Sequence, residues 1–444
     1  MFIHPRRITP SYAPAEGRLV RYIFAFLSFN NTGLFPLIGI SVFYGAQSIA
    51  GILRFSDRYA VNFLVIGCVS CLTYYVSYTR VFRESYFRRL VNRPNRIRLR
   101  FSYFAILFLV SYTALVIYAA YTVNEVALVA AIRGAGAAEL AESREYFLRT
   151  RTGWEASLKY FNAICMMSII PYIMATLFHI RHKLRVPLLC LFLFSLMLTL
   201  ERSLAVMALF PLVVLFANRK AKTRALGLTL LLVIAIVATT HLARGGLTEG
   251  SSGGLALSGD YTITSESGII GYVVDRVVWI PYMTAYDWLR FQNDILGGKY
   301  TLGSSISFVS TVLGTKYIPL EREVFRYQWG QNVTGTGSSN TVYFIDAFLN
   351  FGILGSIIYS ITLALIVRVI SVSDNTPAKA AVYIPLFALA ANSLTAVLFS
   401  GGLGILLCIV FLLRPATGGG RQLNEESSDN RRLRFHRLES RRET

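Results

Sequence analysis

Long apolar runs recur along the whole chain and constrain its fold more than any other feature. Two of them, residues 59–79 and 101–123, have about the 20 residues that a helix needs to cross a bilayer. Hydrophobic residues make up 54% of the 444 residues and charged residues only 15%, which excludes an ordinary soluble globule. The sequence therefore predicts an all-α polytopic membrane protein.

Basic residues cluster in short segments between the apolar runs. They crowd residues 80–100, 181–185 and 219–224 and the tail after Arg414. The positive-inside rule places such segments in the cytoplasm. The net charge of +20 is therefore a signature of topology, and we predict membrane lipids but no nucleic acid as a partner.

The apolar runs and basic segments together predict about ten spans with both chain ends in the cytoplasm. The basic, proline-containing start and the long first run predict no cleavable signal peptide. The spans are a run ending near residue 53, then 59–79, 101–123, 160–180, 186–200, 203–217, 226–242, 341–370, 381–399 and 403–413. The predicted regions are an N-terminal bundle (1–243) with an external loop (124–158), a large periplasmic loop (244–340), C-terminal helices (341–414) and a basic cytoplasmic tail (415–444).

Two of these spans are short and join at Glu201 and Arg202. Each covers only about 22 Å of a hydrocarbon core about 30 Å thick, so their joint would lie below the outer surface. Arg202 is then either an arginine that snorkels to the interface or one that binds an anionic ligand. Its depth favours the ligand, with Glu201 as part of the site.

The segment SSNTVYFIDAFLNFGILGSIIYS, residues 338–360, carries polar side chains into an apolar helix. Asp346 and Asn350 are four residues apart and share a face, and Tyr343 lies one turn before Asp346. Together with Asn340 they are either helix-packing contacts or the wall of a polar site.

The large external loop is nearly neutral, with seven basic and eight acidic residues. Residues 273–291 within it predict a helix on the membrane surface, with Trp279 and Trp288 at the headgroup level. Such a helix would cover the bundle and place Arg276 and Arg290 over a cavity.

Several catalytic signatures are missing from the sequence. It has no P-loop, no HExxH, no His/Cys ligand cluster and no GxSxG elbow, so we predict neither metal nor cofactor.

Arginine forks suit diphosphate oxygens, and a carboxylate can accept a proton from a sugar hydroxyl. Aromatic side chains that could stack on sugars are Tyr282, Tyr286, Tyr300, Tyr327 and Trp329. These features suit glycosyl transfer from a lipid-diphosphate donor.

Three segments resemble the O-antigen polymerase (Wzy-type) family, the repeat-unit polymerases of bacterial surface polysaccharides within the O-antigen ligase superfamily. They are LTLERSLAVMALF (198–210), DRVVWIPYM (275–283) and SSNTVYFIDAFLNFGILGSI (338–357). The resemblance covers their order and the topology of nearly the whole chain.

This resemblance implies a fold similar to GT-C glycosyltransferases and metal-independent, inverting chemistry at the periplasmic face of the inner membrane. A hydroxyl of one lipid-linked repeat unit would displace undecaprenyl diphosphate from the growing glycan. By matching, Arg202 and Arg276 would bind the diphosphate, and Asp346, Asn340 and Asn350 would line the acceptor cavity. Arg244 and Arg290 are further candidates from their location.

The related ligases place a histidine base in their large loop, whereas residues 244–340 contain none. This favours a polymerase and leaves Asp275, Asp346 and Glu323 as candidate bases. The alternatives are an O-antigen ligase acting on lipid A-core, a polysaccharide or lipid transporter, and a noncatalytic scaffold. A chain-length regulator and a flippase of the same pathway are candidate partners.

Overall fold

The computed structural model describes residues 27–92, 97, 101–123, 125–135, 137–148, 151–198, 204–219, 221–242, 256–257, 261–262, 279–329 and 338–413. Within these ranges the fold is helical, apart from a ladder of two-residue strands, β1 (Ala256–Leu257) and β2 (Tyr261–Thr262). This confirms the predicted all-α class.

The helices are numbered in chain order. They are α1 (Phe35–Phe55), α2 (Arg58–Val81), α3 (Glu84–Val91), α4 (Phe101–Tyr121), α5 (Ala127–Ile132), α6 (Ala137–Leu148), α7 (Gly153–His179), α8 (Arg185–Met197), α9 (Leu204–Asn218), α10 (Lys222–Leu242), α11 (Ile280–Asp294), α12 (Ser307–Leu313), α13 (Leu320–Trp329), α14 (Tyr343–Val372), α15 (Thr376–Ala381), α16 (Tyr383–Ala388), α17 (Leu394–Phe399) and α18 (Leu403–Leu412).

Five of the described helices, α1, α2, α4, α7 and α14, are long and apolar enough to cross a membrane. Shorter apolar helices lie in α8, α9, α10 and α18. Apolar surface of this length is stable only when lipid or protein covers it. The protein is therefore a membrane protein.

Helices α8 and α9 are two short helices, and the turn predicted between them stays a prediction. They contain 13 and 15 residues. Arg185 at the start of α8 and Arg219 just after α9 line the same cavity, so both basic ends lie on one side of the bundle. The joint at Glu201 and Arg202 lies outside the described residues.

The predicted span 381–399 is wrong as a single helix. The chain instead forms α16 and α17 with a turn between them. The side-chain amide of Asn392 donates to the backbone carbonyl of Ala388 at 2.9 Å. The hydroxyl of Ser393 accepts from the backbone amide of Ala396 at 3.1 Å. These side chains end one helix and begin the next.

Helices α2 and α14 form the centre of the bundle, and α11 packs against both. Phe63 of α2 lies 5.8 Å from Phe344 and 5.1 Å from Tyr282, measured between ring centroids. Asp57 accepts from the amides of Tyr59 and Ala60 at the start of α2 and from the hydroxyl of Tyr286 in α11. These contacts seat α11, with α13 packed beside it, on one end of the bundle. We call α11–α13 the outer layer.

The other end of the bundle carries the basic segments. Tyr78 near the end of α2 contacts the hydroxyl of Ser371 at 3.2 Å, and Asn92 donates to the carbonyl of Val372 at 3.2 Å. We call this end the basic face. The outer layer and the basic face therefore lie at opposite ends of α2.

Candidate functional site

Helix α14 reverses direction, so the predicted span 341–370 is not one continuous helix. The hydroxyl of Ser356 donates to the carbonyl of Phe344 at 2.8 Å, and the hydroxyls of Tyr343 and Ser360 are 3.2 Å apart. In a continuous helix these pairs would be about 18 and 26 Å apart along the axis. Residues 343–350 and 353–372 are therefore two antiparallel arms.

Two glycines make this reversal possible. Gly352 has φ 66° and ψ −159°, a region that essentially only glycine occupies. At Gly355 a Cβ atom would lie 2.4 Å from the carbonyl oxygen of Ala347, so any side chain would force the arms apart. The Asn-Phe-Gly-x-x-Gly sequence of residues 350–355 thus encodes a helical hairpin.

The long arm, residues 353–372, extends about 30 Å and ends at the basic face, a length that matches one bilayer. The reversal therefore lies at the end that carries the outer layer. The short arm begins about 12 Å beneath it, where the amide of Tyr343 meets the carbonyl of Leu389 at 3.5 Å. Residues 343–350 form a re-entrant helix in the outer half of the bundle.

Asn350 closes the re-entrant helix. Its side-chain oxygen accepts from the hydroxyls of Thr301 and Ser305 at 2.8 and 2.7 Å, and its nitrogen donates to the carbonyl of Asp346 at 2.9 Å. The backbone amides of Thr301 and Leu302 cap the carbonyls of Leu349 and Asn350. All these groups have hydrogen-bond partners within the protein. Asn350 therefore fixes the loop before α12 against the point where α14 reverses direction.

Asp346 is buried, with 6% of its surface exposed, one turn before Asn350. Its Oδ1 lies 3.4 Å from the Asn350 amide nitrogen, which confirms that these two residues share a face. Its Oδ2 has no hydrogen-bond partner among the described residues. A buried carboxylate oxygen without a donor is costly, which is typical of a group kept for a ligand or a proton.

Glu321, at the start of α13, interacts electrostatically with Asp346. Burial raises the pKa of Glu321, although a hydrogen bond from Ser338 to its Oε2 at 3.2 Å and the charge of Arg322 oppose this. The amide of Ser339 also donates to the carbonyl of Glu321 at 2.9 Å. The segment that enters the re-entrant helix is therefore fixed beside two acidic side chains.

A second buried carboxylate, Asp287, lies in α11 with 1% of its surface exposed. Its Oδ2 accepts from the Gln328 amide at 3.0 Å, whereas its Oδ1 has no partner in the described part of the chain. Burial raises the pKa of Asp287 to about 6, against the opposing effects of Gln328 and Arg290. Glu321 and Gln328 are seven residues apart in α13, so the two acidic sites lie about 10 Å apart along that helix.

Charged and phenolic groups surround Asp287 in the outer layer. Arg290 is half-buried and interacts with Tyr286, Asp287 and Asp294. The hydroxyl of Tyr327 donates to Asp294 at 2.7 Å. Burial and this hydrogen bond raise the pKa of Tyr327 to about 12. Arg290 is the sequence-predicted arginine that lies within the described residues, and it is near Asp287 and Asp294.

Four predicted site residues, Glu201, Arg202, Arg244 and Arg276, lie outside the described residues, as does Asp275. Asn340 is exposed and accepts from the hydroxyl of Ser338 at 3.2 Å. Glu323, a candidate base, instead pairs with Arg326 at 3.1 Å on the surface.

Tyr282, Tyr343 and Asn350 are fully buried, and their contact with substrate stays a prediction. Tyr282 packs against Phe63, and Tyr343 meets Ser360. The contacts of Tyr343 and Asn350 within the protein fit the helix-packing alternative considered for residues 338–360. Trp288 is buried within the protein, and its indole N–H donates to the hydroxyl of Ser339 at 3.2 Å.

Sequence reasoning missed Asp287 and Glu321 as candidate site residues. Asp287 stands between Tyr286 and Trp288 in α11, and an acidic residue between two large aromatic residues was the signal that could have identified it. Glu321 gives no such signal, because the sequence EREVFR resembles an ordinary solvated face. Its proximity to Asp346 depends on the helical reversal.

The described residues contain no group of three His, Cys, Asp or Glu side chains placed to hold a metal ion. Comparison with protein-family models, with curated proteins and with solved structures finds no match to this chain. The function must therefore be argued from the site itself.

Proposed function

We propose that the protein polymerises undecaprenyl-diphosphate-linked oligosaccharide repeat units at the periplasmic face of the bacterial inner membrane. The observation that carries this proposal is the buried Asp346 with one unpartnered oxygen, on a re-entrant helix beneath a layer of polar side chains. A carboxylate at that depth suits proton transfer from a hydroxyl away from bulk water.

In the proposed reaction an acceptor hydroxyl attacks the anomeric carbon of the growing glycan. The bond from that carbon to the diphosphate oxygen breaks with inversion, and undecaprenyl diphosphate leaves. The hydroxyl proton passes to Asp346, for which Asp287 is the second candidate. Arg202 and Arg276 stabilise the charge on the leaving diphosphate, and Arg244 and Arg290 assist in its binding.

The proposal includes the finer architecture predicted from the sequence: about ten spans in a GT-C-like arrangement, with both chain ends in the cytoplasm. The short helices α8 and α9 support it, because Arg185 and Arg219 at their basic ends line one cavity. We infer that residues 201–202, which connect the two helices, lie toward the opposite side of the bundle. That side also carries the outer layer. Arg202 and Asp346 would then approach one cavity from two helical hairpins.

Reconstitution tests the proposal. The purified protein would be incubated with one synthetic undecaprenyl-diphosphate repeat unit and EDTA, and the products separated on a gel. We expect a ladder of repeats with release of undecaprenyl diphosphate. No ladder with the cognate unit would overturn the polymerase, and transfer to an added lipid A-core acceptor would identify a ligase instead.

Arg202→Lys tests the diphosphate clamp, because lysine keeps the charge and loses the bidentate fork. We expect at least a tenfold loss of polymer, with Arg83→Lys on the basic face as the matched control. Near-full activity of Arg202→Lys would exclude the clamp while leaving the polymerase itself intact.

A further inference from the structure

A cavity of about 560 Å³ opens at the basic face, at the end of the bundle opposite the outer layer. Four arginines from the ends of α7, α8, α9 and α10 converge on it: Arg181, Arg185, Arg219 and Arg224. Its remaining wall is mostly apolar and includes Val186, Leu228 and Leu231. The cavity thus joins a cationic mouth to an apolar groove.

These arginines have no carboxylate partner among the described residues. Arg219 donates to the carbonyls of Phe178 and His179, at 3.2 and 2.8 Å, and so caps α7. Burial, and then repulsion by Arg181, lower the pKa of Arg219. Arginines that repel one another around a cavity call for an anion within it.

A left-handed residue ends α7 at the mouth of the cavity, where the amide of His182 donates to the carbonyl of Leu177 at 2.9 Å. Arg181 has φ 56°, in the left-handed region that residues other than glycine rarely adopt. Arg185 places its guanidinium 5.6 Å from the centre of the Phe178 ring, at the junction of the mouth and the groove.

The groove is continuous with the surface that faces lipid. Val186 and Leu231 expose 53% and 47% of their surface beside it. Gly227 lines the groove, and a Cβ atom placed there would meet no atom within 4 Å. An acyl chain could therefore lie along α8 and α10 while its headgroup reaches the arginines.

We propose that this cavity binds an anionic phospholipid of the membrane leaflet at the basic face. Its phosphate accepts hydrogen bonds from Arg185 and Arg224, and its acyl chain lies against the apolar groove between α8 and α10. Basic pockets between helices on the positive side of membrane proteins recognise lipid headgroups by this chemistry. The bound lipid would hold α8 and α9 together at the basic face. This role is independent of the proposed role of Arg202 at the opposite face.

The test is lipid retention by the purified protein in detergent, measured by native mass spectrometry during titration with dioleoylphosphatidylglycerol or dioleoylphosphatidylcholine. We expect half-maximal retention of the anionic lipid at a concentration at least tenfold lower than that needed for phosphatidylcholine. Equal retention of the two lipids would overturn the proposal. So would full competition by inorganic phosphate at the lipid's own concentration, which would indicate a small-anion site.

Two variants test the headgroup contacts and the apolar groove separately. Arg185→Gln with Arg224→Gln removes the headgroup contacts, for which we expect about a hundredfold weaker retention, at tenfold for each arginine. Gly227→Leu keeps every arginine and fills the groove, and should weaken retention at least tenfold.

Arg83→Gln with Arg89→Gln is the matched control, because both arginines are exposed on the same face and lie away from the cavity. It should retain lipid as the wild type does. Unchanged retention in Gly227→Leu would overturn the proposal even if the arginine variant failed to fold. Because the readout is binding, it stands apart from the outcome of the polymerase assay.

Discussion

At the residue scale, the described part of the chain contains two buried aspartates that each leave one oxygen without a donor. Asp346 lies in the re-entrant helix and Asp287 lies in α11. A core selected only for stability would pair or remove such groups. Their retention at one end of the bundle is the strongest indication in the molecule of a chemical role.

Asp287→Asn should stabilise the protein at neutral pH. The pKa of Asp287 is raised to about 6 in the folded protein, above its ordinary value of 3.8. The folded state therefore favours the neutral acid, and the unfolded state releases the proton more readily. The stabilisation that protonated Asp287 gives the folded state is complete below about pH 4 and is lost as the pH rises to about 6.

Asparagine stays neutral and can still accept from Gln328. We expect a gain on the order of 2 kcal/mol at pH 7.5 and none at pH 4. Thermal unfolding in detergent at both pH values measures it. A variant that unfolds at a lower temperature than the wild type at pH 7.5 would show that the charged form is favoured in the folded protein.

The sequence predicted part of the residue-scale picture. The spacing of Asp346 and Asn350 correctly placed them on one face, because a helical period needs no tertiary information. It did not separate scaffold from site, since burial of Tyr343 and Tyr282 depends on which helices pack against them. The pairing of Glu321 with Asp346 depends on chain reversal and was not predictable from local spacing.

At the element scale, the re-entrant hairpin is the feature that hydropathy concealed. Residues 343–372 are mostly apolar, so a hydropathy window cannot distinguish one long helix from two antiparallel arms. The glycines at 352 and 355 mark the reversal, but glycine is also common in straight membrane helices. Backbone geometry and the contact between Phe344 and Ser356 decide between the two.

Gly355→Leu should disrupt the hairpin. The new side chain would collide with the backbone of Ala347, and separating the arms should cost about 1–3 kcal/mol. We expect a lower unfolding temperature in detergent and loss of polymer synthesis. Gly39→Leu is the control, because its Cβ atom meets nothing within 4 Å. Wild-type stability of Gly355→Leu would contradict close packing of the two arms.

At the scale of the whole molecule, polar chemistry divides between two ends. Buried carboxylates lie at the end with the outer layer, and arginines without acidic partners line the cavity at the basic face. The distribution of basic residues in the sequence predicted that arginines cluster, but not that Asp287 is buried and Glu321 half-buried at the other end. It did not predict that residues 381–399 would break into shorter helices, because Asn392 and Ser393 act there through hydrogen bonds to the backbone.

Reporter fusions test the orientation that these ends imply. Alkaline phosphatase should be active when fused after Gly314, which follows α12 in the outer layer. It should be inactive after Arg181 or Asp374, which lie at the basic face. A fluorescent protein fused after Thr444 should fluoresce, since it folds in the cytoplasm. Phosphatase activity after Arg181 would contradict the proposed orientation.

The most direct test of the account is the activity of Asp346→Asn in the reconstituted polymerisation assay. This change keeps the shape and removes the proton acceptor, so we predict at least a hundredfold loss of repeat addition. Asp374→Asn, an exposed aspartate at the basic face, should keep at least half of the wild-type rate. If folded Asp346→Asn polymerised within threefold of the wild type, Asp346 would not be the proton acceptor and the proposed site would be wrong.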